Sequence, residues 1–434
     1  MSLVEGQQVE LAIEKPASGG RMIARHLGQI VLVRGAIPGE RVVAWIERAE
    51  KRMAYAVTRE VLESSPDRRP GWDDPLCGGA LYSHIAYERQ LAIKSDVIRD
   101  AFSRLGRYPI EGAIDVVGSR EDGYRMRARL HVHAGRAGFY REGTHQLCDA
   151  GPTQQLRADA VTAVSQLASA LEREAHSAVA SISIAENMAA DQRAAHVELV
   201  PGARLSDEAL ERAAADARLS GVSARDVAAG RFQSVGHPVV VDPLPALTGG
   251  RVASGTLQRR AESFFQGNRY LLPALVDAVA AAVPDAGEVL DLYAGVGVFA
   301  VALAALGHLE VTAVEGDRAG GADLRENARA QEPRLKVHVA SVEAYLASRR
   351  DRRLATAIVD PPRTGLSKEA ADAIVRQAPA RLVYVSCDPP TLARDVRRLL
   401  DAGYSLDLVR AFDFFPNTPH VETLATLSRH RANP

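Results

Sequence analysis

The sequence predicts an α/β protein whose C-terminal part is a doubly wound sheet, preceded by a small β-barrel and a central α+β unit. From about residue 269, short apolar β-type runs alternate with helical patterns, the mark of parallel strands joined by helices. Residues 5–62 alternate apolar and polar residues in short runs punctuated by Gly and Pro, which fits a small antiparallel barrel. With 434 residues, 47% of them hydrophobic, the chain has enough material for two or three cores and is too apolar for disorder.

Residues 1–63 form the barrel unit, centred on "GQIVLVRGAIPGERVVAWIE". A loop-like, charged stretch follows, "SSPDRRPGWDDPLCGGALYSH" (64–84), and then "YERQLAIKSDVIRDAFSRL", whose apolar spacing is helical. The central unit, 64–255 with this linker, mixes strands such as "GYRMRARLHVHA" and "GHPVVVDPL" with Ala-rich helical segments. The last unit, 256–434, holds an Ala/Leu-rich helix and the strands of "EVLDLYAGVGVFA", "LEVTAVEGD", "RLKVHVAS", "ATAIVDPPRTG" and "RLVYVSC". Each of these strands ends in a polar or glycine-bearing cluster. Ligands of doubly wound sheets bind at such carboxyl ends.

The formal net charge is −1, so binding of a polyanion has to come from local patches and not from a global field. Only five basic residues are lysine, at 15, 51, 94, 336 and 368, a composition bias toward arginine. No apolar run reaches the length of a membrane span, and the N-terminus lacks the basic-then-apolar build of a signal peptide. A soluble, cytoplasmic protein is expected. Cys77, Cys148 and Cys387 are an odd set at wide spacing, which suits a reducing compartment, and no disulfide is expected.

"DLYAGVGVFA" places Asp291 at a strand end and Gly295 and Gly297 in the turn that opens the next helix, where the backbone can approach a ligand closely. Glu315 ends the following strand, where a carboxylate can accept hydrogen bonds from ribose hydroxyls. These residues alone leave open an NAD-type site, an S-adenosylmethionine site and a glycine turn needed only for packing. "VDPPRTG" then sets Asp360 before two prolines that stiffen the loop. "RLVYVSCDPPTLARD" sets Cys387 at a strand tip, whereas a lone cysteine is more often a small buried hydrophobe.

Taken together, "SFFQGN" (263–268), "VDPPRTG", "SCDPPTLARD" and "FPNTPHVETL" resemble the motif set of bacterial S-adenosylmethionine-dependent RNA uracil-C5 methyltransferases. Members of that family join an N-terminal TRAM barrel and a central domain to a class I, Rossmann-like methyltransferase domain. The resemblance implies S-adenosylmethionine as cofactor and RNA, either rRNA or tRNA, as substrate. It makes Cys387 the nucleophile and Glu422 the base, the latter read here as lying on an edge strand. Gln266, Tyr293, Gly295, Gly297, Glu315, Ser341 and Asp360 become the cofactor-binding set. Asp360 and Arg363 are assigned to the substrate, together with the row Arg125, Arg127 and Arg129, whose alternation places them on one face of a strand. Arg394 is a further candidate for a phosphate or oxyanion contact. No metal site is expected, and the chain is expected to act as a monomer.

The chemistry asks for these residue types. Uracil C5 is a weak nucleophile until a thiolate adds to C6, and a base must then remove the C5 proton so that the cysteine can leave. The target base has to be unstacked first. An amino-group methyltransferase would need no thiol, an NAD-dependent dehydrogenase leaves "SCDPP" unexplained, and a catalytically silent RNA-binding protein on the same fold would have no use for intact Cys387, Glu422 and Asp360. The 23S rRNA branch is favoured over the tRNA branch by the barrel. Many relatives also hold an iron–sulfur cluster on four cysteines. Here Gly71 and Ala80 flank Cys77 at two ligand positions and Gly151 precedes the proline at the fourth, so no iron–sulfur cluster is expected. Val298 and Ser341 stand where asparagines are common in the family.

Overall fold

Alternation in the first 63 residues folds as its period requires. β1 (Gln8–Pro16), β2 (Met22–His26), β3 (Gln29–Arg34), β4 (Arg41–Ala49) and β5 (Met53–Glu63) close a barrel in the order β1-β2-β3-β5-β4 around Leu11, Val31, Val42 and Ile46. The barrel is not antiparallel throughout. β4 leaves the β3 edge and pairs with β1, so closure brings β5 alongside β3 in the same direction. In this computed structural model, residues 3–72, 74–265, 267–308, 310–349 and 354–429 are described. Among them no helix is long and apolar enough to cross a membrane.

The linker is tied to the barrel by Arg68, which grips the fully buried Glu40 carboxylate with two nitrogens. It runs into α1 (Tyr87–Arg104), whose far end packs Ile98 and Phe102 into the C-terminal core. After the short β6 (Val116–Val117), the central sheet is built from β7 (Arg127–His133), β8 (Arg136–Tyr140), β9 (Leu147–Asp149), α2 (Ala158–Glu174), β10 (Val179–Glu186), β11 (Arg193–Leu199), α3 (Asp207–Asp216), β12 (Gly221–Asp226) and β13 (Arg231–Gly236). Its strand order is β13-β12-β11-β10-β7-β8-β9. Alternation along β7 sends Ala128 and Leu130 into the core beneath α2 and α3 and leaves Arg127 and Arg129 on the other face. A ribbon of β14 (Val239–Pro243) and β15 (Thr256–Arg260), with α4 (Leu244–Leu247) between them, leads onward.

Cys77 and Cys148 are joined by a disulfide with their Cα atoms 5.6 Å apart, contrary to the expectation from their spacing of 71 residues. The linker segment lies along the β8–β9 hairpin, where Gly78 N donates to Tyr140 O and Glu142 N donates to Leu76 O, and this brings the two thiols face to face. Ala80 packs in the same cluster, and Gly71 abuts His84. Protein denatured without reductant should present one reactive thiol, Cys387, and three after reduction. Three thiols without reductant would show that the bridge does not form.

The C-terminal unit contains α5 (Leu272–Ala282), β16 (Val289–Leu292), α6 (Val298–Ala305), β17 (Val311–Glu315), α7 (Arg318–Ala328), β18 (Leu335–Val339), α8 (Val342–Ser348), β19 (Thr356–Val359), α9 (Lys368–Gln377), β20 (Arg381–Ser386), α10 (Pro389–Asp401), β21 (Tyr404–Phe412) and β22 (Glu422–Arg429). The sheet order is β18-β17-β16-β19-β20-β22-β21-β6. The expected parallel, doubly wound part is β18 to β20. The remainder departs from it, because β21 and β22 are joined without a crossover helix and therefore run antiparallel. β22 enters between β20 and β21, so Glu422 is not on an edge. β6, contributed by residues preceding the central sheet, closes the far side.

Candidate active site

Cys387 follows the last residue of β20. Ser386 Oγ accepts from Asp388 N, the Asp388 carboxylate caps α10 by accepting from Thr391 N, and prolines occupy the first helical positions, where no N–H is needed. The cysteine is thereby fixed between a strand end and a helix start. Asp360 follows β19 and enters the Pro361-Pro362 loop. That loop is pinned to α10: Arg394 donates to Thr364 O and Leu366 N donates to the Asp395 carboxylate, which also takes the buried Tyr384 hydroxyl. Gly365 is obligatory here, since an added Cβ would fall 2.2 Å from Thr391. Arg394 is thus occupied with the loop and Asp395 and does not line the cleft.

Cys387, Glu422, Asp360 and Arg363 line one cleft of about 640 Å³. Tyr293, Gly295, Glu315, Ser341, Arg125 and Arg127 line it as well. Glu315 holds its carboxylate at the tip of β17 by accepting from Gly295 N and Asp317 N. Gly295 has open space where a side chain would project. Gly297, left-handed at φ 95°, caps α6 against Leu324 and does not reach the cleft. The Ser341 hydroxyl caps α8 through Ala344 N. Gln266 lies outside the described residues. Among the described residues no group of His, Cys, Asp and Glu is arranged to hold a metal ion.

Burial governs the electrostatics. It pushes the Cys387 thiol up to about 11, with the nearby Glu422 adding to the effect, while Arg363, which hydrogen-bonds the thiol, opposes it. Glu422 is 1% exposed, neither carboxylate oxygen has a hydrogen-bond partner among the described residues, and burial followed by Asp360 raises its pKa well above the usual range. Burial, opposed by the Ala300 N–H and reinforced by Asp360 and Glu315, also brings Asp291 up to about 8. Arg125 bonds Gln155 and Arg127 O and lies over the rings of Phe139 and Phe415. Arg127 lies over Phe264 and donates to Glu262 O, and its buried Nε has no partner among the described residues; burial and the adjoining Arg125 lower its pKa to about 10. Arg129 turns aside to Glu198 and Ser181.

Arg363→Met should therefore leave the thiol titrating higher still. Below pH 11 the thiolate fraction rises about tenfold per pH unit, so adduct formation should climb with pH in the native protein and run slower at each pH in the variant. An unchanged pH profile for Arg363→Met would separate this arginine from the thiol.

Among the cleft residues that sequence reasoning did not single out, two aromatics stand beside the arginines. Phe264, 66% exposed, and Phe415 offer ring faces there. Both stood inside quoted motifs, Phe264 two residues before the glutamine of "SFFQGN" and Phe415 as the first residue of "FPNTPHVETL", but neither motif says which aromatic faces the cleft.

Comparison with known proteins places these features in a wider set. Residues 3–58 match the family described as TRAM domain, 347–430 match tRNA (Uracil-5-)-methyltransferase and 262–384 match Methyltransferase small domain. The chain is 33% identical to an uncharacterized RNA methyltransferase of Streptomyces avermitilis, covering 97% of this chain and 98% of that one. It is 32% identical to the 23S rRNA (uracil(1939)-C(5))-methyltransferase RlmD of Halomonas elongata, over 98% and 90%. Its fold superimposes with a TM-score of 0.73, at 24% identity and over 96% and 100% of the two chains, on the Pyrococcus abyssi tRNA (uracil-54, C5)-methyltransferase solved with S-adenosyl-L-homocysteine.

Proposed function

The chain belongs to the S-adenosylmethionine-dependent RNA uracil-C5 methyltransferases, and from that premise we propose that it forms 5-methyluridine in 23S rRNA through a Cys387 adduct resolved by Glu422. One observation carries the mechanism: a cysteine and a buried carboxylate without a hydrogen-bond partner among the described residues, from adjacent strands, line the same cleft as Asp360 and Arg363.

In this reading Cys387, as the thiolate, adds to uracil C6. The Sγ–C6 bond forms, and the ring's electron pair moves toward C5 and the carbonyl oxygen. Arg363 favours the thiolate, and Asp360 meets the N3–H edge of the base. Glu422 then takes the C5 proton, the C5–C6 double bond re-forms and the thiolate is expelled. Both groups must lose a proton that burial makes them keep, so activity should rise with pH.

S-adenosylmethionine, when bound, supplies an electrophilic sulfonium methyl to the activated C5. The residues present fit it: Glu315 presents a fixed carboxylate to ribose hydroxyls, Gly295 leaves room beside it, and Val296 and Phe299 give apolar wall. Arg127, lying over the exposed Phe264 ring, suits an RNA phosphate and a flanking base. The same reading has the protein act as a monomer in the cytoplasm.

Full-length similarity to 23S rRNA enzymes, barrel included, favours rRNA over tRNA. Nucleoside mass spectrometry of both RNAs from a deletion strain tests this. Loss of 5-methyluridine from 23S rRNA is expected; loss from tRNA alone would move the target, and loss from neither would remove the proposal.

A further inference from the structure

Glu422 has no hydrogen-bond partner among the described residues, so no side-chain bond fixes its place in the cleft and the backbone that carries it matters. β22 pairs with β20 and β21, where Phe412 stands opposite Glu422, and the irregular segment 413–421 leads into it from β21. That segment is held largely from outside its own sheet. Gln90 and Lys94 stand one helical turn apart on α1, both buried. Gln90 Oε1 accepts from Asn417 N at 2.9 Å and its Nε2 donates to Asn417 Oδ1 at 2.9 Å. Lys94 donates to the buried Asp413 carboxylate and to Phe415 O. Tyr87, three residues before Gln90, hydrogen-bonds Asp413 as well.

Neighbours complete the grip. Arg69 Nη2 donates to Asn417 Oδ1, Tyr82 N to Asn417 O, Tyr124 to Pro416 O and Asn268 to Phe414 O. Asn417 is left-handed at φ 64°, a conformation that its neighbours have to hold in place. Cys387, in contrast, is set by β20 and its own helix cap.

We propose that Gln90 and Lys94 are positioning residues that set Glu422 for proton abstraction, so that the linker helix governs the second half of the reaction and not thiol addition. The proposal rests on Glu422 being the base. Mere fastening of the linker to the catalytic unit would affect both halves alike.

The test uses the full chain with unmodified 23S rRNA and tRNA transcripts and methyl-labelled S-adenosylmethionine. Gln90→Met and Lys94→Met should form the methylated, denaturation-resistant protein–RNA adduct as fast as wild type and release product roughly ten- to a hundredfold more slowly, within what a misplaced base costs. Labelled adduct should accumulate as it does in Glu422→Gln. If either α1 variant fails to fold by circular dichroism, Asn417→Ala, altered from the loop side, decides by the same measurement. Adduct formation and turnover falling together, or neither changing, overturns the proposal. Absence of adduct in Glu422→Gln would instead identify the base assignment as the fault and withdraw both.

Discussion

Cys387→Ala should form no adduct and lose roughly 10⁴- to 10⁶-fold in methylation, the scale of deleting a nucleophile on which the other groups depend. Glu422→Gln should lose less, roughly 10²- to 10⁴-fold, and should stall as methylated adduct. Denaturing gels and incorporation of labelled methyl read both results. Adduct in neither variant while both retain methylation would refute the mechanism. Glu422 adds a second, independent readout. Its pKa is raised in the folded state, so below the unfolded carboxyl's range both states hold the proton and Glu422→Gln should change stability little. As pH rises, the unfolded state releases that proton first and the native protein loses stability that the glutamine variant keeps. The melting temperature of Glu422→Gln should therefore rise relative to wild type between pH 4 and pH 8. A constant difference would mean that the carboxyl is not held protonated.

Asp242→Ala should destabilise the protein by roughly 3–5 kcal/mol, the cost of stripping the partner from a buried charge. Asp242 and Arg259 are both fully buried and ion-paired. Arg259 also donates to Glu186 O and lies 3.8 Å from the centre of the Phe265 ring, while Asp242 accepts from Met188 N. The pair ties the β14–β15 ribbon to the central sheet directly before the "SFFQGN" segment. Replacing both charges, with Asp242→Leu and Arg259→Met, should restore much of the loss, because a paired set of apolar groups leaves no orphaned charge. Urea midpoints of the single and double variants measure this. A loss under about 1 kcal/mol for Asp242→Ala would show that water reaches the arginine.

What the sequence made legible was what short-range pattern encodes. Strand ends, the two prolines after Asp360, the cysteine before "DPP" and the helix of Tyr87–Arg104 are local statements, and the motifs around them carried the resemblance. What it left hidden depends on contacts distant along the chain. The spacing of Cys77 and Cys148 gave no sign that the linker lies along the β8–β9 hairpin. The parallel pairing of β3 with β5 follows from barrel closure, which alternation does not specify. An apolar strand near the C-terminus reads the same whether it ends at an edge or enters the middle of a sheet, and this placed Glu422 on an edge. Arg127 and Arg129 share a face of β7 as their alternation requires, whereas Arg125 precedes the strand and pairs in an isolated bridge with Asn268; the cleft takes Arg125 and Arg127, while Arg129 bonds Glu198 on β11.

The insertion of β22 between β20 and β21 has a consequence for biosynthesis. Domains are completed in the order in which the chain emerges, and here β20 and β21 both precede the strand that fits between them. Until residues 422–429 are free of the ribosome, β20 and β21 have no neighbour between them, and the strand leading to Cys387 is present without the strand that carries Glu422. The barrel, the central sheet and β16 to β19 can assemble earlier on their own pairings. Competence for the whole reaction therefore waits on residues 422–429, which complete the sheet beneath the cleft.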